Sequence, residues 1–253
     1  MAVKTRSLRA LREEAYRGNM ALQISGLVVG TFGNASAVDR EAGVVAIKPS
    51  GIPYDRLRPE NMVIVDLEGK VVEGTLRPSS DTPTHVRLYR EFPEIRGIAH
   101  THSLFATSWA QAQKPIPCLG TTHADYFHGP IPVTDVISDA QIRDNYERET
   151  AVQIIEALSR QKVDYRAMPA VLVAAHGPFT WGPTAVEAAF NGEMLELVAE
   201  MAWLSMSMAP GLKPLRRSLL QKHYLRKHGR EAYYGQVKGK APPGRAPDRA
   251  RSG

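Results

Sequence analysis

The stretch Ile95-Arg96-Gly97-Ile98-Ala99-His100-Thr101-His102-Ser103 decides the fold. Its first five residues read as a short strand, and Ser103 to Gln113 then reads as a helix with no long loop between. A strand passing almost directly into a helix is the building unit of an α/β layered domain. The alternation recurs on both sides. Leu8, Leu11, Ala15 and Leu22 predict a helix over Ser7 to Ile24, and Val44–Ile47 and Met62–Val65 predict strands. Thr82-Pro83-Thr84 opens a helix reaching about Phe92, with Pro83 where a first turn tolerates it. A further helix is predicted from Asp144 to Gln161, a buried strand from Ala170 to Ala175 and a long helix from Thr184 to Met208. The expected architecture is an αβα layered domain, a central β-sheet flanked by helices; strand order is not legible at this level.

Composition narrows the function classes. The chain has 253 residues, of which 43% are hydrophobic and 23% charged, as in a soluble globular protein. A single cysteine, Cys118, excludes an internal disulfide framework and fits a reducing compartment. No apolar run approaches the ~20 residues that span a bilayer, and the first residues lack a signal-peptide core; the expectation is a cytoplasmic protein without a membrane partner. The net charge of +6 is uneven, because five basic residues between 236 and 253 stand against Asp248 alone and leave the rest nearly neutral. A nearly neutral body argues against a nucleic-acid partner. One catalytic domain is expected over 1–235, followed by a basic, Pro/Gly-rich disordered tail over 236–253.

Three histidines stand where chemistry can use them. His100 and His102 are two apart in an extended chain, so both imidazoles can reach one point, and His176 closes a second apolar run. Three imidazoles with an open fourth position suit a catalytic divalent metal. Gly33-Asn34-Ala35-Ser36, Lys48-Pro49-Ser50-Gly51 and Pro78-Ser79-Ser80-Asp81 are polar, mostly glycine-bearing turns whose N–H groups and hydroxyls suit a phosphate, with Lys48 as a point charge. No P-loop or Gly-x-Gly-x-x-Gly pattern supports a nucleotide. Asp81, Asp125, Glu147 and Tyr233-Tyr234 supply acid–base candidates, each equally compatible with a structural role.

Seven motifs in order carry a resemblance. Pro-Ser-Gly at 49–51, Pro-Ser-Ser-Asp-Thr-Pro-Thr-His at 78–85, His-Thr-His-Ser at 100–103 and Gly-Thr-Thr-His-Ala-Asp-Tyr-Phe at 120–127 lead the set. His-Gly-Pro-Phe-Thr-Trp-Gly at 176–182 and Lys-His-Tyr-Leu-Arg-Lys-His-Gly at 222–229 follow, with Ala-Tyr-Tyr-Gly-Gln at 232–236. From about residue 7 to 236 the chain resembles the L-ribulose-5-phosphate 4-epimerases of the class II aldolase superfamily. The resemblance implies a class II aldolase-like fold and metal ligands at His100, His102 and His176, with Asp81 beside the metal and zinc as the ion. It implies phosphate contacts at Gly33, Asn34, Ser50, Gly51, Ser79 and Ser80, with Lys48 close by, and proton transfer by Asp125 and Tyr234. In relatives these last two reach the site from a neighbouring subunit of a four-fold tetramer, and Glu147, His223 and Arg226 match further residues of that interface-built site.

The implied reaction interconverts L-ribulose 5-phosphate and D-xylulose 5-phosphate. Carbon 4 is not adjacent to the carbonyl, so inversion proceeds by breaking C3–C4, turning the aldehyde and re-adding it, with metal as Lewis acid and two proton-transfer groups on opposite faces. Superfamily aldolases carry a glutamate after the Ser-Ser pair, where this chain has Asp81. The rival expectations are a class II aldolase for another sugar phosphate, such as L-fuculose 1-phosphate, and a non-catalytic sugar-phosphate-binding relative.

Overall fold

The computed structural model describes residues 2–229 and 232–233, with side chains from residue 8 onward. Seven strands form one sheet: β1 (Asn34–Asp39), β2 (Val44–Ile47), β3 (Val63–Asp66), β4 (Val71–Glu73), β5 (Gly97–His100), β6 (Ala170–Val173) and β7 (Gly177–Gly182). Their order is β4-β3-β2-β1-β5-β7-β6, and every neighbouring pair is antiparallel. The helices are α1 (Ala2–Ile24), α2 (Thr82–Glu91), α3 (Leu104–Gln111), α4 (Thr121–Ala124), α5 (Asp139–Arg160), α6 (Ala185–Met208) and α7 (Arg217–His228).

Period-two alternation divides the strand side chains between two layers. On one face Val38, Val45, Val63, Val65, Ile98, Val171, Val173, Phe179 and Trp181 pack with Val86, Leu88 and Tyr89 of α2 and Ala151, Ile154 and Leu158 of α5. On the other face the sheet presents smaller residues: Ala37 and Ala46 meet Leu8, Leu11 and Ala15 of α1, while Ala35 and Ala99 meet Ala188 and Ala189 of α6. Both layers are occupied, as the αβα expectation requires. Small residues are needed where helix and sheet come close. A Cβ on Gly97 would lie 2.3 Å from the Thr184 backbone at the start of α6, so any side chain there would push that helix off the sheet.

Three strands depart from the sequence-based reading: the short exposed edge strand β4, and the inner strands β1 and β7. Gly33-Asn34-Ala35-Ser36 reads as a turn, yet β1 begins at Asn34 and lies centrally, with β2 on one side and β5 on the other. Gly177–Gly182, with its glycines and Pro178, carries little strand signal, yet β7 is paired on both edges and wholly buried. Burial and pairing override intrinsic preference at both places. The helix predicted from Asp144 is present, but it is preceded by a separate turn of helix over 139–144. Ser138 caps that turn reciprocally with Gln141, and Asn145 breaks it in an extended conformation (φ −164°, ψ 93°).

Candidate active site

The histidines gather where β5 and β7 meet. His100 is the last residue of β5, paired with Phe179 of β7. Its Nδ1 donates to the Pro178 carbonyl (2.9 Å), because a carbonyl can only accept; this assigns the proton to Nδ1 and leaves the Nε2 lone pair free. His102 Nε2 lies 3.1 Å from that nitrogen. His176 is delivered by the tight link between β6 and β7, where Ala175 adopts φ +60°, the left-handed region that costs a residue with a Cβ energy. The Ala175 N–H is held by the Ala110 carbonyl of α3 (2.9 Å). One donor nitrogen from each of the three rings lies within 4.8 Å of the others.

Burial keeps this group ready for a cation. Desolvation, reinforced by the neighbouring His100, lowers His102 and drives His176 to about 3, so their rings are neutral ligands at physiological pH. Asp81 has the opposite outcome. Its burial opposes ionisation, but the His100 and His85 imidazoles and the Asn34 amide outweigh burial and hold the carboxyl below its usual range. Asp81 precedes α2 without capping it, because Oδ2 accepts from Asn34 Nδ2 (2.7 Å). An all-nitrogen donor set with a carboxylate nearby fits a divalent transition metal ion.

A cavity of about 320 Å³ joins this cluster to the polar turns. Its walls include Gly33, Asn34, Lys48, Ser50, Gly51, Ser79, Ser80, Asp81, His100, His102, Glu147 and His176. Every metal and phosphate candidate from the sequence therefore shares one space. The turns are zipped together: Ser50 N–H donates to the Arg77 carbonyl (2.9 Å) and Ser79 N–H to the Lys48 carbonyl (3.0 Å). Lys48 is 2% exposed, bonded through Nζ to the Thr31 carbonyl (3.2 Å) and seated over the Tyr54 ring; burial brings its pKa down to about 8. Gly33 holds φ +80°, and a Cβ there would meet Val28 at 2.7 Å and the His100 carbonyl at 3.1 Å. Asn34 Oδ1, though buried, has no hydrogen-bond partner.

The remaining candidates separate. Glu147 lines the histidine cavity, whereas Asp125, His223 and Arg226 form a second cluster where α4 meets α7, and none of the three lines the cavity. Both Asp125 oxygens are engaged, Oδ1 by His223 Nδ1 and Arg226 Nε (3.0 Å each) and Oδ2 by an Arg226 terminal nitrogen (2.6 Å). Burial works against ionisation of Asp125, but these hydrogen bonds prevail and keep its pKa low. Tyr234 and the tail over 236–253 lie outside the described residues.

Three wall residues escaped the sequence reading: Thr31, Phe32 and Tyr146. Tyr146 Oη lies 3.1 Å from His176 Nδ1, a partner that orients the ring. Its signal was the preceding asparagine: Asn145 Oδ1 accepts from the Arg148 N–H, capping the helix that starts at Tyr146. Phe32 stacks on His102 with centroids 5.6 Å apart. Cys118 is buried, and burial raises its thiol to about 11, which does not suit a nucleophile.

With this geometry the comparisons agree. Residues 13–203 match the model of the class II aldolase and adducin N-terminal domain, and the chain belongs to that family. It is 49% identical over 229 residues to the L-ribulose-5-phosphate 4-epimerase UlaF of Salmonella paratyphi A, covering 90% of this chain and 100% of that protein, and equally similar to the same enzyme of Salmonella typhi. Among solved structures, an L-fuculose 1-phosphate aldolase superposes with a TM-score of 0.73 at 26% identity, covering 85% of this chain and 94% of the other. YgbL from Klebsiella pneumoniae, at 24% identity and a TM-score of 0.68 over 85% and 98% of the two chains, shares the fold.

Proposed function

We propose that this protein is a metal-dependent epimerase that interconverts L-ribulose 5-phosphate and D-xylulose 5-phosphate by cleaving and re-forming C3–C4. The observation that carries the reading is the single cavity in which neutral imidazoles at one part of the wall share space with Lys48, Ser50, Gly51, Ser79 and Ser80. The 49% identity to named epimerases supports the choice of substrate. His100, His102 and His176 would hold the ion, for which three imidazoles favour zinc, with Asp81 beside it. When bound, the ion supplies Lewis-acid stabilisation of the negative charge that develops as the carbon–carbon bond breaks.

The chain's own groups do the rest. Lys48 and the Ser/Gly turns grip the phosphate, so the aldehyde fragment stays tethered while it turns. Asn34 holds Asp81 and Ser79 through Nδ2, which fixes both at the cavity wall. Asp125 and Tyr234 are the proton-transfer pair of this reading, one on each face of the aldehyde. Because Asp125 does not line its own chain's cavity, the reading requires a second copy to bring it there, and a cyclic homotetramer satisfies this. Exposed apolar residues on α3 and α6, among them Leu104, Trp203 and Met208, suit such contacts. Among the described residues no helix is long and apolar enough to cross a membrane, in keeping with a cytoplasmic enzyme of pentose, arabinose or ascorbate breakdown.

A coupled assay of C4 inversion, with and without chelator, tests the proposal. Epimer should form and should stop forming when metal is stripped. Release of free aldehyde and ketone without inversion would instead favour an aldolase, the reaction named for the fold neighbour that acts on L-fuculose 1-phosphate.

A further inference from the structure

Phe32 sits on the loop between α1 and β1, residues 25–33, whose glycines 26, 30 and 33 all have positive φ. The loop is pinned on either side of this residue. The Thr31 carbonyl accepts from Lys48 Nζ (3.2 Å), and the Gly33 carbonyl accepts from Tyr54 Oη (3.0 Å). Between these pins the Phe32 ring stacks on the His102 imidazole, interplanar angle 19°, while 63% of the residue faces solvent. Its neighbour Thr31 thus touches the cation proposed for the phosphate, and its own ring touches an imidazole proposed for the metal. Phe32 is therefore a large apolar residue on the cavity wall, next in sequence to the Lys48 contact and in direct contact with His102.

We propose that Phe32 determines whether the cleaved aldehyde is retained, and so whether the site epimerises or merely cleaves; this rests on the epimerase reading above. In the cleavage step the C4 hydroxyl gives up its proton, the C3–C4 pair stays with C3, and glycolaldehyde phosphate separates from the enediolate of dihydroxyacetone. Re-addition to the other face returns the pair to a C3–C4 bond and a proton to the oxygen. Up to cleavage the bond chemistry is common to an epimerase and an aldolase; net cleavage further requires that the aldehyde escape before re-addition and that C3 of the enediolate take up a proton. A ring held over the middle of the substrate blocks the outward path and excludes water without contacting a reacting atom. Phe32 is in this sense a specificity-determining wall.

The test uses the full-length, metal-loaded protein and its Phe32→Ala and Phe32→Leu variants. Epimer formed and glycolaldehyde phosphate released are measured in the same reaction, the latter trapped as it appears. The ratio of released aldehyde to epimer should rise on the order of tenfold or more in Phe32→Ala and stand between the two in Phe32→Leu, with inhibition by inorganic phosphate unchanged. An unchanged ratio in both variants, however slow the turnover, overturns the proposal while leaving the epimerase reading intact. A wild-type protein that forms no epimer overturns that reading and this inference with it, so the two failures are told apart by the wild-type arm.

Discussion

Histidine and aspartate meet in two clusters among the described residues. At the ends of β5 and β7 the rings of His100, His102 and His176 are packed beside Asp81. Where α4 meets α7, His223 bonds Asp125 directly and a guanidinium joins them. In the first place burial lowers His102 and His176 to neutral rings, which is what a cation needs. In the second, Arg226 supplies a fixed positive charge that keeps the carboxylate ionised although Asp125 is only 8% exposed. The same residue types are set to different tasks by whether an arginine is present. The comparison also carries the case for assembly, since the proposed reaction calls on both clusters and they do not share one cavity within a chain.

Substitutions separate the two regions, starting with the largest effect. His100→Ala should release the metal and lower turnover by about 10³-fold or more, the several kcal/mol a Lewis acid contributes; metal analysis beside the assay checks it. Asp125→Asn should lower turnover by roughly 10²–10⁴-fold while metal content stays whole. Co-refolding that variant with His102→Asn should then recover up to about a quarter of wild-type activity, because a mixed assembly regains some intact sites. No recovery would place both clusters in the service of separate sites. Lys48→Met should cost about 10–100-fold in kcat/KM, mostly through KM, the worth of one charged hydrogen bond to phosphate.

The pH effects are smaller and opposite in direction. Lys48 has a pKa near 8, so the free enzyme carries its charge below that value, and kcat/KM should fall as pH rises through it. Asp125 is depressed, so its contribution to holding α7 is complete above the carboxyl's unfolded value of about 4 and is lost as acid protonates it. The melting temperature of the wild type should therefore drop more steeply below about pH 4 than that of Asp125→Asn. Equal slopes would remove the electrostatic account of how α7 is held.

The histidine cavity was the more legible of the two regions. Residues two apart at a strand end share a face, so the convergence of His100 and His102 follows from period two, and His176 follows from the buried run ahead of it. What sequence did not carry was the pairing of β5 with β7, because four-residue apolar runs such as Gly97–His100 hold no information about their partners. β1 and β7 were hidden for a related reason: Asn34, Ser36, Pro178 and Thr180 are polar or turn-forming residues that become strand only through neighbours on both edges. His223 and Arg226 came from resemblance alone, and Asp125 stood otherwise only among several acid–base candidates, since contacts spanning about a hundred residues leave no local pattern. Tyr146 could have been found from the capping signal of Asn145.

That asparagine has a consequence for how the fold can diversify. Glu147 is fixed to the body from behind by Thr84 Oγ1 of α2 on its carbonyl, while Tyr146 is bonded within its own helix by Thr150 Oγ1. The turn of helix over 139–144 is exposed along most of its length and joins the helix behind it through the extended Asn145 and one side-chain bond, from Gln141 Nε2 to Glu149 Oε2 (3.0 Å). Evolution can therefore lengthen, shorten or redecorate that outer turn while the inner wall keeps its place, which makes it a natural seam for grafting new substrate preferences onto an unchanged catalytic frame.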